Sequence, residues 1–249
     1  MFVSEFIGGK QGFFMEKKMK DNKIIGIIGG MGPYASAYFY KLLLDKSRDF
    51  YGAKKNNDYP EILVDSVPIP DFISDTKNLE KAREILTERV KKMNDYGVSV
   101  IGMTCNTAHI LLEDLAKVSN AEFISMIDAV SEKISDLGFK KVGLLATQTT
   151  ISQGLYHRAL TGLGISCDSL NLRTQKLHEK IIRKVIAGKS VEIERLVSQV
   201  KKFIKEENLE GLILGCTELP LVFPKEKFVN VIDCLDVLVN KLLKKYYNQ

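Results

Sequence analysis

No stretch of this 249-residue chain stays apolar for anything near the roughly 18 residues that a membrane helix requires, so a spanning or membrane-anchored protein is not expected. Nor is there a block of like charge. The 36 lysines and arginines exceed the 31 acids by a formal +5, but they are scattered over helix-forming stretches, which is the pattern of a solvated surface rather than of a nucleic-acid-binding face. Cysteine is sparse: four residues, at 105, 167, 216 and 234, with no close pair and no metal-ligand spacing, which speaks against a disulfide framework and for a reduced, cytoplasmic setting. Residues 1–22 carry Phe2, Phe6, Phe13 and Phe14 but no continuous apolar stretch, because Glu5, Lys10 and Glu16 interrupt them. No signal peptide is read there, and 1–22 is taken as an extension ahead of the fold, with Met15 and Met19 as alternative natural starts.

What is present is ordinary for a globular protein, with 45% apolar and 27% charged residues in a length that suits one large α/β domain or two small ones. Short apolar runs alternate with amphipathic stretches. Strands are predicted over 24–28, 61–67, 98–103, 123–127, 141–146, 165–170, 212–214 and 228–232, and helices over 34–48, 77–96, 128–137, 151–163, 177–187 and 191–207. One more helix is expected to run to about residue 118 and another to close the chain. The first strand ends in the turn Gly29-Gly30-Met31-Gly32-Pro33, with proline near the first turn of the helix that follows. Strands alternating with helices imply parallel sheets covered on both faces.

The pattern also repeats. Ile25-Gly26-Ile27-Ile28 opens the first half as Val142-Gly143-Leu144-Leu145 opens the second, and a buried strand in each half runs into a cysteine, Cys105 and then Cys216. The glycines Gly26 and Gly143 stand 117 residues apart and the cysteines 111. Phe123-Ile124-Ser125-Met126-Ile127-Asp128 is matched in turn with Phe228-Val229-Asn230-Val231-Ile232-Asp233. The expected fold class is therefore α/β, with two similar lobes of parallel sheet covered by helices. Residues 23–137 carry Cys105 and 138–249 carry Cys216, the lobes are related by a pseudo-twofold axis, and the C-terminal helix is free to cross over onto the first lobe. Ligands bind beyond the carboxyl ends of parallel strands, so an active site between the lobes would bring the two thiols to one ligand from opposite sides. That is what inversion of an α-carbon needs: a base on one face and an acid on the other.

Each cysteine stands at a strand-to-helix turn, where free N–H groups and the positive end of the helix favour thiolate, and such positions lower a cysteine pKa from about 8.5 to roughly 3.5–7.5. The same N–H groups, with Asn106, Thr107 and Thr217, are placed to hold a substrate carboxylate. Cys167 and Cys234 are given the ordinary reading of a single cysteine, a buried small hydrophobe. His109, four residues beyond Cys105, is read as a packed or surface residue in preference to one that tunes the thiol. A zinc site from Cys105, His109, Cys216 and Glu218 is an alternative by ligand type, but the repeat accounts for the cysteines without a metal. The glycine turn has neither the G-x-G-x-x-G order nor a following Gly-Lys-Ser/Thr, which disfavours a nucleotide, and no lysine sits in a recognisable PLP context. Activity without any cofactor is expected.

At IGIIGGMGP (25–33), MTCNTAH (103–109), ISMID (124–128), GLLAT (143–147) and GCTE (215–218) the chain resembles the aspartate/glutamate racemase family, in particular its aspartate racemase branch. The resemblance covers nearly all of 23–245. It implies a PLP-independent amino-acid racemase of two similar lobes, usually a homodimer, with Cys105 and Cys216 as the paired acid and base. Gly30, Met31, Asn106, Thr107, Thr147, Thr217 and Glu218 are its candidate substrate-binding residues, and a small amino acid is its only expected partner besides a second copy. Two departures bear on substrate. Where the family has an arginine for an acidic side chain after the segment like Ile69-Pro70-Asp71 this chain has Phe72, and where a later lysine is expected it has Ile186. Weak activity on aspartate follows, unless Arg173 or Lys176 replaces those cations. Within the enzyme class a cysteine-dependent isomerase or decarboxylase is the variant reading, and a small-ligand binding protein on the same fold is the non-enzyme alternative.

Overall fold

The computed structural model describes residues 23–72 and 76–247, so the extension expected over 1–22 lies outside the described residues. Two all-parallel four-stranded sheets form. The first has β1 (Ile24–Gly29), β2 (Glu61–Ser66), β3 (Val100–Met103) and β4 (Glu122–Ile124) in the order β2-β1-β3-β4. The second has β5 (Lys141–Ala146), β6 (Ser166–Ser169), β7 (Gly211–Gly215) and β8 (Val231–Asp233) in the order β6-β5-β7-β8, which is the same topology. Every residue of β1, β3 and β7 is buried, as strands packed on both faces require, whereas the edge strands β2 and β6 are partly open.

Helices α1 (Pro33–Tyr51), α2 (Leu79–Tyr96), α3 (Leu112–Lys117) and α4 (Met126–Asp136) belong to the first lobe. The second contributes α5 (Gln148–Ser152), α6 (Leu155–Thr161), α7 (Leu172–Ile186), α8 (Glu194–Glu207) and α9 (Cys234–Tyr247). The single helix expected over 151–163 is two, divided at Gly154, whose φ of 60° ends one helix and starts the next. α7 begins five residues before the expected 177, because the Asn171 side chain caps it by accepting from the Thr174 N–H at 3.0 Å.

The ladders define the repeat more sharply than residue matching does. Val100 pairs with Ile25 and Gly211 with Val142, so β1 maps on β5 with Gly26 over Gly143, and β3 on β7 at the 111-residue spacing of Cys105 and Cys216. The fourth strands do not follow the matched phenylalanines. Ile101 pairs with Phe123, while its equivalent Leu212 pairs with Val231, which shifts the correspondence by three residues and places Ser125 over Asp233. Both are helix N-caps: Ser125 accepts from the Asp128 N–H at 3.1 Å, and Asp233 from those of Leu235 and Asp236 at 2.9 and 3.3 Å. The strand expected over 123–127 accordingly ends at Ile124, and the one expected over 228–232 begins only at Val231 and runs to Asp233.

One apolar core runs through both lobes, joining Ile25, Ile27 and Phe39 to Val142, Leu144 and Tyr156. α9 seals it on the first lobe, packing against α1 and α4, with Leu238 and Leu242 over Gly102 of β3. Two further clusters cover the outer faces of the sheets. No helix among the described residues is long and apolar enough to cross a membrane.

Candidate active site

The turn after β1 is held against the end of β3 by one hydroxyl. Ser36 Oγ accepts from the Gly30 N–H at 3.0 Å, donates to the Gly32 carbonyl at 2.9 Å and lies 2.9 Å from Thr104 Oγ1. Glycine is needed here for two different reasons. Gly30 has φ 88° and packs so closely on the Val67 backbone that a Cβ would collide with it. Gly32 is extended, but a Cβ there would strike the Glu218 carboxylate of the other lobe. The turn thus lets the two lobes approach at a cleft of about 690 Å³ of open space, lined by Gly30, Met31, Cys105 and Thr107 on one side and by Arg183 and Ile186 on the other.

Cys105 follows β3 by two residues and Cys216 follows β7 directly, at equivalent carboxyl ends. Both are enclosed, and the two are near enough that a charge on Cys105 would raise the Cys216 pKa. They differ in outlook. Cys105 opens onto the cleft, whereas Cys216 does not line it and donates its S–H to Glu218 Oε2 at 3.0 Å. Thr217 Oγ1 donates to the same oxygen at 3.2 Å, and Glu218 Oε1, buried, has no hydrogen-bond partner among the described residues. Burial raises the Glu218 pKa, against the pull of those donors.

The expectation of thiols lowered by helix N-termini is overturned. Burial pushes Cys105 up to about 12, opposed by the Ala108 N–H and by the N–H and hydroxyl of Thr107, and reinforced by the Glu218 charge. Burial, and then Glu218, raise Cys216 well above its usual value. Burial is the first cause in both, and the turns that follow offer little against it. Cys105 is followed by a 3-10 turn, Thr107–Leu111, before the six-residue α3, and Cys216 only by the three-residue turn Leu219–Leu221, so neither faces the end of a long helix.

Other predicted site residues hold the lobes together. Thr107 Oγ1 lies 2.9 Å from Thr147 Oγ1 and 3.1 Å from Thr150 Oγ1, which are themselves 2.9 Å apart, a triangle of hydroxyls across the lobe boundary. Asn106 accepts from the Tyr156 hydroxyl at 2.6 Å and donates to Cys234 Sγ at 3.3 Å, so both ends of its amide are engaged away from the cleft. His109 Nε2 accepts from the Met126 N–H at 3.0 Å, which puts its proton on Nδ1, 2.9 Å from the Cys105 carbonyl. It is a packed residue that ties the Cys105 turn to α4. Among the described residues no group of three or more His, Cys, Asp or Glu is placed to hold a metal, and both nitrogens of His109 are used.

Of the predicted set, Gly30, Met31, Cys105 and Thr107 line the cleft, while Asn106, Thr147, Thr217, Glu218 and Cys216 stand behind it. Phe72 and Ile186 both line it, as apolar wall. Neither fallback cation is there: Arg173 lines a separate depression with Arg195 and Gln199, and Lys176 is exposed. The cation at the cleft is Arg183, paired with Asp71 at 2.7 Å. It was readable in principle, since it precedes Ile186 by three residues and so shares a helix face with it.

The Asp/Glu/hydantoin racemase family matches residues 28–242. The broad specificity amino-acid racemase RacX of Bacillus subtilis is 30% identical over 143 residues, 57% of this chain and 62% of that protein, so the matched stretch spans less than two thirds of that relative. An aspartate racemase homologue from Pyrococcus horikoshii OT3 superposes with a TM-score of 0.75 at 31% identity, covering 90% of this chain and 99% of that one. The Picrophilus torridus aspartate racemase gives 0.76 at 29% identity, covering 90% and 94%.

Proposed function

Because the chain belongs to the Asp/Glu/hydantoin racemase family, we propose that it inverts the α-carbon of a free amino acid without a cofactor, using Cys105 and Cys216 as paired base and acid. The observation that carries this is the pair of thiols at equivalent strand ends of two sheets with one topology, Cys105 on the interlobe cleft and Cys216 behind it within electrostatic reach of Cys105. A decarboxylase needs one proton donor and a binding protein none, so neither accounts for the second thiol.

The pair must work as one thiolate and one thiol. With both pKa values raised by burial, the resting form is two thiols, and one proton has to leave. Glu218 is the base in contact: transfer of the Cys216 S–H proton to Oε2 gives the Cys216 thiolate and a neutral Glu218. The thiolate then takes the α-proton from one face of the substrate, and the Cys105 thiol donates its proton to the opposite face of the carbanion. This leaves Cys105 as thiolate, set to run the other enantiomer back. The Thr107 and Ala108 N–H groups that lower the Cys105 pKa steady that thiolate. The four cysteines are free, which suits a reducing, cytoplasmic setting, and the working unit is a homodimer.

Single-enantiomer amino acids incubated with the protein in deuterium oxide test the reading by NMR. Loss of the α-proton signal with appearance of the other enantiomer is expected for at least one amino acid. No exchange across the whole panel, or loss of carbon dioxide instead, would contradict it.

A further inference from the structure

Among the described residues two charged side chains line the cleft, and they are paired with each other. Asp71 stands on the loop after β2 in the first lobe and Arg183 on α7 in the second, with Arg183 Nη1 2.7 Å from Asp71 Oδ2. Both side chains are about half exposed. The wall beside them is apolar: Met31, Ile69, Phe72 and Ile186. Phe72 is 5% exposed and belongs to the outer core of the first lobe with Met31 and Ile69, and Ile186 packs against the outer core of the second, so this wall is part of the packed structure.

We propose that the Asp71–Arg183 pair sets the substrate class: by neutralising Arg183 across the cleft it reserves the side-chain end for neutral, mainly apolar amino acids and turns away acidic ones. This deepens the racemase reading and rests on it. A guanidinium at the mouth of an apolar pocket is ordinarily a carboxylate receptor, through two parallel N–H bonds. Here a protein carboxylate already faces it. An acidic substrate side chain would approach Arg183 only by sharing it with Asp71, bringing two like charges within a few ångströms of each other, a repulsion that solvent at this half-exposed site moderates but does not remove. A neutral side chain meets no such conflict and removes apolar surface from water on Met31, Phe72 and Ile186. A half-exposed ion pair adds little to folding stability. Its position across the cleft is therefore better explained by what it does to ligands.

The test compares kcat/KM for alanine, methionine, aspartate and glutamate in the wild type, Asp71→Asn and the double variant Asp71→Asn/Arg183→Met. Calorimetric binding of the same four amino acids runs alongside, and thermal melts check the fold. The wild type should favour the neutral pair. Asp71→Asn should raise the acidic-to-neutral ratio by about tenfold, the scale of one charge-assisted hydrogen bond at a partly exposed site, mainly through KM and binding, and the double variant should reverse that gain. An unchanged ratio in a folded Asp71→Asn protein, or aspartate as the best wild-type ligand, would overturn the proposal. Amino-acid binding that shows the expected ratios without any racemisation would instead contradict the racemase reading and leave the charge assignment standing.

Discussion

His109 and His178 are the two buried histidines of the described chain, and they answer to protons alike. Burial holds each at about 4, against 6.5 for an ordinary histidine. His109 resists a second proton because its Nε2 accepts from Met126. Among the described residues neither His178 nitrogen has a partner of good geometry, and the Ala146 carbonyl, which favours its charged form weakly, accepts from Gln175 Nε2 at 2.8 Å. Between pH 6.5 and about 4 the unfolded chain therefore binds protons that the folded one refuses. The stability these rings allow is complete above pH 6.5 and is lost as pH falls toward 4, by an amount on the order of 3 kcal/mol for each ring. Urea unfolding at pH 7.5, 6 and 5 should show His178→Phe, which keeps the ring volume and removes two unpaired nitrogens, losing less stability than the wild type over that interval. Equal losses would mean that His178 is not held neutral. At this scale the readable residues were those inside short contiguous motifs: Gly30, Met31, Cys105 and Thr107 all reach the cleft. The Asn106 side chain is turned to partners far along the chain, Tyr156 and Cys234, which no contiguous motif shows.

Among the elements, α9 shows how far a local pattern can be trusted. Its existence, its start after Asp233 and its freedom to cross onto the first lobe were legible, while the Asp233 cap and the groove it occupies there were not. Leu242 is fully buried, with Cδ1 2.7 Å from where a Cβ on Gly102 would stand. Tyr247 stacks on Tyr51 of α1 at 4.4 Å, and Lys46 reaches back to Asp236 at 2.7 Å. Leu242→Ala should cost about 2–5 kcal/mol in denaturant unfolding, the range for a leucine removed from a close-packed core, because the helix bridging the lobes would lose its hold on β3. A loss under about 1 kcal/mol would show that α9 is not seated there. The turns after the cysteines were harder to read, since nothing in Asn106-Thr107-Ala108 or Thr217-Glu218-Leu219 distinguishes a 3-10 turn from the start of a long helix, and the inference about thiol pKa failed because the depth of burial was not legible.

In the whole molecule the repeat was the most legible feature and the relation between its copies the least. Two similar lobes could have been separate domains. Instead they share a core from Phe39 to Tyr156, and Thr107 crosses the boundary to Thr147 and Thr150. The cleft then lies at the seam of lobes that share one core, with Cys105 on it and Cys216 behind it. What most directly tests the claim that each thiol serves one face is α-proton exchange in deuterium oxide by Cys105→Ser and Cys216→Ser, each given one enantiomer at a time. A positioned acid or base is worth roughly 10² to 10⁴ in rate, and serine is a far poorer base than cysteine, so net racemisation should fall by about that factor in both directions. Each variant should still exchange the one enantiomer whose α-proton faces its remaining cysteine, with opposite preferences in the two variants. Near wild-type racemisation by either variant, or exchange of the same enantiomer by both, would contradict the assignment of Cys105 and Cys216 to opposite faces.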